Sequence, residues 1–192
     1  MNVIQIGANK GCNSDFNGPD DFFNLIKDYD FSNLILVEPL DIHISSLKER
    51  YVNIKNLNIE NIAITNDSSC KELDFFYHKD DGPLYLVAST DPFHITKHGF
   101  SMDGIIKKTV PCLSINELFE KYSLQEIDIL CINTEGLDGD ILKSINFEKF
   151  KIKEIYYEYT HQKFDIASFL KTKGYSVFES WRDTNKAVLN FN

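Results

Sequence analysis

The sequence contains no run of lysine or arginine long enough to suggest a phosphate-tracking patch, and its 20 basic residues are outnumbered by 29 acidic ones, for a net charge of -9. A phosphate-tracking surface is therefore not expected, and nucleic acid is not an expected partner. No apolar run approaches the roughly 20 residues needed to cross a bilayer, and Met1 leads into a strand-like segment where a leader would carry basic and then apolar residues. Neither an anchor nor a signal peptide is expected, no membrane partner is expected, and the expected compartment is the cytoplasm. Cys12, Cys70, Cys112 and Cys131 include no Cys-x-x-Cys pair. Buried free thiols are expected, not a zinc site or a disulfide framework. Repeats, low-complexity tracts and Pro/Gly/Ser linkers are also missing, so residues 1–192 read as one domain.

What is present is ordinary globular composition: 43% hydrophobic, 26% charged and 13% aromatic residues. A chain of this length buries roughly 70% of the surface its unfolded state exposes, enough to hold a core without staples. Strand and helix signals alternate along it. Val3 to Ile6 ends in Gly7, and Leu34 to Val37 ends in Glu38-Pro39; both read as buried strands. Between them Phe22, Leu25, Ile26 and Tyr29 recur at helical spacing after Gly18-Pro19, proline suiting a first helical turn.

Ile44, Leu47 and Tyr51 form a second helical stripe, and Ile59 to Ile64 reads as a third strand. From Asn66 to Lys108 only Leu73 to Tyr77 reads as a strand, and the rest is expected to be irregular, which in compact domains often signals function. Ser114-x-x-Glu117 is a capping box for a helix through Ile115, Leu118, Phe119 and Tyr122. Ile127 to Ile132 is the clearest strand; it runs into Asn133-Thr134-Glu135-Gly136 and a helix carrying Ile141, Leu142 and Ile145. A strand at Ile155 to Tyr159, a helix through Ile166, Phe169 and Leu170 stopped by Gly174, and a hairpin turning at Arg182 to Asn185 complete the chain. The expected fold is α/β: a Rossmann-like three-layer sandwich, its sheet mostly parallel with a C-terminal antiparallel hairpin. Its ligand crevice then lies beyond the carboxyl ends of the first strands.

Gly7-Ala8-Asn9-Lys10-Gly11 follows the first strand directly, and its small residues let backbone approach a ligand closely. Glu38 closes the second strand, where a carboxylate can accept both hydroxyl hydrogens of a ribose. Together they specify a nucleoside site. A nicotinamide dinucleotide and S-adenosylmethionine both carry such a nucleoside, but the G-x-G-x-x-G phosphate fingerprint is broken here, and Asp15 before the helix would repel a pyrophosphate. S-adenosylmethionine has no phosphate, and it is the favoured cofactor.

The motifs Ile4 to Gly11, Val37-Glu38-Pro39, Asn61 to Ile64, Ser114 to Leu118 and Ile127 to Gly136 resemble, in order and spacing, those of FkbM-type methyltransferases. The resemblance implies a class I S-adenosylmethionine-dependent fold and methylation of a hydroxyl on a sugar, glycan or similar small acceptor. It implies that Gly7, Ala8, Asn9 and Gly11 lie under the methionine part of the cofactor, that Glu38, with Pro39, binds its ribose, and that Asn61, Ile62 and Ala63 flank its adenine. Asn133 stands where relatives usually carry an acid, which removes a base or metal ligand from that position; Asn133 and Thr134 are instead expected to orient the cofactor. The resemblance also implies that a helix which relatives place over the cofactor is missing or supplied elsewhere, as for a domain excised from a longer chain.

Methyl transfer to a hydroxyl needs alignment and a general base, the base being worth roughly 10² to 10⁴ in rate. Glu135, Glu158 and His161 are the candidates, at the carboxyl ends of the last two parallel strands. Asp91 with His94-x-x-x-His98 has metal-ligand spacing only if helical, and Pro92 and Gly99 argue against a helix, so no metal site is expected. Tyr85, Phe93 and Phe100 are the aromatic candidates for acceptor contact. Two other readings stay open: a nicotinamide-dependent oxidoreductase, and a nucleoside-binding module without catalysis. Oligomeric state is not legible.

Overall fold

The structure is a computed structural model and describes residues 1–12, 18–160 and 164–190. Seven strands form the main sheet: β1 (Asn2–Ile6), β2 (Asn33–Val37), β3 (Leu57–Glu60), β7 (Glu126–Ile132), β8 (Lys151–Glu158), β9 (Tyr175–Glu179) and β10 (Thr184–Leu189). Their spatial order is β3-β2-β1-β7-β8-β10-β9. All pairs from β3 to β8 are parallel, and β10 runs antiparallel to both β8 and β9.

Side chains alternate across a strand, so a sheet buried on both sides needs apolar residues at every position. The central strands meet that demand nearly throughout, the buried Gln5 of β1 being an exception. Val3, Leu34, Leu36, Ile129 and Cys131 turn to one face, against Phe22 and Ile26 of α1 (Asp21–Ile26) and Leu47 of α2 (Ile44–Arg50). Ile4, Ile6, Ile35, Val37, Leu130 and Ile132 turn to the other, against α4 (Ile115–Lys121), α5 (Asp138–Ser144) and α6 (Ile166–Thr172). The result is three layers with two cores.

Four expectations are corrected. Ile59 to Ile64 is not one strand: the chain bends after β3, and β4 (Ala63–Thr65) joins a separate three-stranded sheet, of order β4-β6-β5, with β5 (Glu72–His78) and β6 (Ile105–Ser114). The bend is held by Asn61, whose amide donates to the carbonyls of Glu38 and Pro39 at 2.9 and 3.0 Å. Much of the segment from 66 to 108 is regular, since β5 and β6 pair antiparallel over seven residues. The signal for β6 was masked by Pro111, which a strand tolerates at such a position only where no ladder donor is needed. Pro19 precedes the first helix instead of opening it: Asp20 caps α1, accepting from the Phe23 N–H at 2.7 Å. Finally, Pro92 opens a short helix, α3 (Pro92–Lys97), with Asp91 as its cap.

The Ser114–Glu117 capping box forms as the sequence predicts, and Phe119 behind it packs edge-on against Phe150 with ring centroids 5.1 Å apart, both fully buried. Truncating Phe119 to alanine removes that contact and leaves a cavity the sheet cannot close. Urea titration should show a loss of about 3 to 5 kcal/mol; a loss below about 1 kcal/mol would mean that this core readily collapses around the gap.

Candidate functional site

Ile6 pairs with Val37 on one side and with Ile132 on the other. The loops after β1, β2 and β7 therefore leave the sheet side by side, at the point where the strand order reverses. Gly7 has φ +79, and a Cβ placed on it would come within 1.8 Å of the Asn133 carbonyl oxygen. Only glycine lets the first loop lie this close to the end of β7.

Above these loops is a cavity of about 300 Å³. Its walls include Gly7, Ala8, Asn9, Glu38, Pro39, Ala63, Asn133, Thr134 and Glu135, nine of the positions singled out from sequence. Gly11, Asn61, Ile62 and Glu158 are not among the lining residues. Gly11 is a packing glycine, where a Cβ would meet the Tyr51 ring at 2.9 Å. Asn61 acts on the Glu38-Pro39 backbone, as described above. His161 lies outside the described residues.

Glu38 is buried at the cavity wall. One carboxylate oxygen accepts from the Asn9 N–H at 2.7 Å, and the other accepts from the Leu40 N–H at 2.8 Å. Burial nevertheless lifts its carboxyl to about 7, the two donors pulling the other way. The donors fix the plane of the group while leaving lone pairs for ligand hydroxyls.

A residue missed in the sequence, Asp138, ties the ends of β7 and β8 together. It accepts from the Thr134 N–H at 3.0 Å and hydroxyl at 2.6 Å, and from the Glu158 N–H at 3.2 Å. The Thr134 hydroxyl is thus engaged by the protein. Burial raises Asp138 to about 6. Glu158, buried behind the wall, is raised to about 8 by burial and then by the charge of Glu135, and the Thr160 hydroxyl donates to it.

Glu135 differs from both. Its side chain reaches the cavity, and its backbone is left-handed at φ 53, ahead of Gly136 at φ 113. It does not cap α5, whose cap, Leu137, makes no side-chain bond. One oxygen lies 3.4 Å from Nε2 of His94, and the Ser89 hydroxyl donates to its carbonyl at 3.5 Å. The helix that sequence reasoning argued against is what brings His94 here. The His94 and His98 rings lie with centroids 4.7 Å apart, tilted by 49°, and no group of three or more His, Cys, Asp or Glu suited to a metal occurs among the described residues.

Of the aromatic candidates, Tyr85 lines the cavity, Phe93 is largely exposed, and Phe100 lies against His78. Asp20, Asp21, His43, Leu84 and Trp181 to Thr184 also line it, unread in the sequence. No pattern marked them, because they reach the cavity from four separate segments. The strap at Leu84 is pinned by the Asn9 amide, which donates to its carbonyl at 2.7 Å.

The Methyltransferase FkbM domain model matches residues 5–181, from the middle of β1 to Trp181 on the cavity wall. The chain belongs to the FkbM methyltransferase family. No curated protein matches it. The FkbM match spans all three strands whose loops form the cavity, and no helix among the described residues is long and apolar enough to cross a membrane.

Two outcomes test the site as a structure. Alanine at Gly7 meets a backbone oxygen and a left-handed φ, so the variant should lose more than about 2 kcal/mol in chemical denaturation; wild-type stability would show that the loop is free to move away from Asn133. Raised carboxyls make a folded chain hold protons its unfolded form has released, so stability falls with pH between the ordinary and the folded pKa. For Glu38 and Glu158 that window runs from 4.5 up to about 7 and about 8. His43, lowered to about 4 by burial and by Lys10, opposes them only below its ordinary 6.5. The melting temperature of the ligand-free protein should therefore fall from pH 6.5 to 8, each carboxyl that still holds its proton costing at most about 1.4 kcal/mol for every pH step of one. A rise would show that these carboxyls are not raised.

Proposed function

We propose that this methyltransferase uses S-adenosylmethionine to methylate a hydroxyl of a sugar, glycan or similar small acceptor. The observation that carries the reading is the buried, doubly anchored carboxylate of Glu38 facing the cavity beside the Gly7–Asn9 loop. A buried acid at the carboxyl end of β2 is poorly explained by stability and well explained by a ribose diol. The reversed strand β10 between β8 and β9 supports the class I Rossmann-like arrangement that this chemistry uses.

The electrostatics of the wall fit the same cofactor. Asp20, Asp21, Glu135 and Asp183 line the cavity, and Arg182, the one Arg or Lys lining it among the described residues, is 3.4 Å from Asp21. A pyrophosphate would meet carboxylates; an ammonium and a sulfonium would meet the charge they need. This disfavours the oxidoreductase reading. S-adenosylmethionine, when bound, supplies a methyl group activated by its sulfonium. The residues of the chain then have three tasks. Glu38 holds the ribose, the Gly7–Asn9 loop and Asn133 contour the methionine end, and Tyr85 with the strap at Leu84 keeps water from the site. Glu135 takes the acceptor's proton, and His94 steadies its carboxylate from behind. Glu135 takes this role over Glu158, which does not line the cavity.

Thermal-shift and calorimetric titrations with S-adenosylmethionine, S-adenosylhomocysteine and NAD test the cofactor. The first two should raise the melting temperature and NAD should not; a shift with NAD alone would overturn the reading. Glu38→Ala should weaken S-adenosylhomocysteine at least tenfold while leaving the fold intact. An acceptor screen with isotopically labelled methyl donor then identifies the acceptor. With that acceptor, Glu135→Gln should lower turnover roughly 10² to 10⁴-fold with cofactor affinity unchanged; normal turnover would remove Glu135 as the base.

A further inference from the structure

His43 ends a short 3-10 turn, Asp41–His43, five residues after Glu38. It is completely buried, yet it lines the cavity. Neither of its ring nitrogens finds a hydrogen-bond partner among the described residues. The Leu84 carbonyl, which also accepts the Asn9 amide, is the one backbone acceptor that approaches the ring; as an acceptor it can meet only an N–H, so at least one ring nitrogen is left for another partner. Natural cores rarely leave a histidine nitrogen in this state, because a buried polar atom without a partner loses the hydrogen bond that water would supply. No structural task explains it: the turn is closed by backbone bonds, and His43 makes no capping bond to α2.

The surroundings define what would complete it. Pro39, Leu40, Leu84, Tyr85, Ala63 and Ile64 give the cavity apolar lining, and the Tyr85 ring lies 5.9 Å from the imidazole, tilted by 42°. Burial and the nearby positive charge of Lys10 hold the ring neutral. It thus offers one N–H donor and one lone-pair acceptor. An apolar lining with one donor-acceptor residue among it suits a heteroaromatic base, and Glu38 sets the ribose of such a ligand five residues away in the chain. Asn61, in the segment that the family resemblance sets beside the adenine, donates its amide N–H groups to the carbonyls of Glu38 and Pro39.

We propose that His43 reads the purine of the bound nucleoside, hydrogen-bonding the base edge while Leu40, Leu84 and Tyr85 cover its faces. The inference rests on the S-adenosyl reading above and names the residue that makes the site selective for its base. His43 is unsatisfied in the free protein and satisfied in the complex, so removing its nitrogens should harm binding and not folding.

The test uses the whole chain with S-adenosylhomocysteine as the probe, read by calorimetry and by melting temperature. His43→Phe and His43→Leu, which remove the unpartnered nitrogens, should bind the probe about tenfold more weakly or worse, with ligand-free melting temperatures equal to or above wild type. His43→Gln, which keeps a donor and an acceptor, should stay within a few-fold of wild type. The proposal is overturned if either apolar variant binds the probe normally. It is equally overturned if all three substitutions lower both affinity and ligand-free stability, the pattern of a structural histidine. Wild-type protein that does not bind the probe at all would instead sink the S-adenosyl reading itself, and the inference with it.

Discussion

Everything at the cavity depends on the in-register parallel pairing of three strand ends. Ile6 faces Val37 and Ile132, so three loops with different chemistry emerge within one backbone spacing of each other. A shift of one residue in either pairing would turn every side chain of a strand to the opposite face and exchange the two cores. Because these strands are apolar on both faces, polarity alone does not fix the register; the different packing of the two cores does. Gly7 is the local expression of the same constraint, pressed against the Asn133 carbonyl where no other residue fits.

The cavity places polar groups where folding alone would not. Glu38, Asp138 and Glu158 are buried carboxyls whose ionisation burial opposes, and His43 is a buried imidazole held neutral. Asp138 is accounted for by the three donors it accepts from, joining β7 to β8. Glu38 and His43 are not accounted for by the protein alone. Stability withheld at a site in this way is the usual mark of a surface made for a ligand. The small sheet of β4, β6 and β5 adds Ala63, Ile64 and Phe75 to the wall, and Asn61 links that sheet's start to the Glu38-Pro39 turn.

Parts of this were legible from residues and parts were not. The strands β1, β2 and β7 announce themselves as short apolar runs, each ended by glycine, by proline or by a polar loop, and the helix at Ser114 announces itself by its capping box. The strand β6 was hidden because Lys107, Lys108 and Pro111 interrupt its apolar alternation, which packs on one side only. The helix at Pro92 is hidden because proline inside a helix breaks it, whereas at the first helical position it lacks only a hydrogen that would go unused. Nothing local marked His94 as a neighbour of Glu135, 41 positions later by the numbering of the chain.

The sequence by itself determined the layered α/β order, the family, and the loop and acid that open the cavity, because each is written in contiguous residues whose spacing answers to the period of a strand or a helix. Only the tertiary structure decided which carboxylate reaches the cavity, that Asn61 serves the backbone, and that His43 and Leu84 stand beside Glu38. Those choices depend on where separate segments cross and on which polar atoms are left unpaired once water is gone. Neither quantity has a periodicity, so neither can be read along the chain.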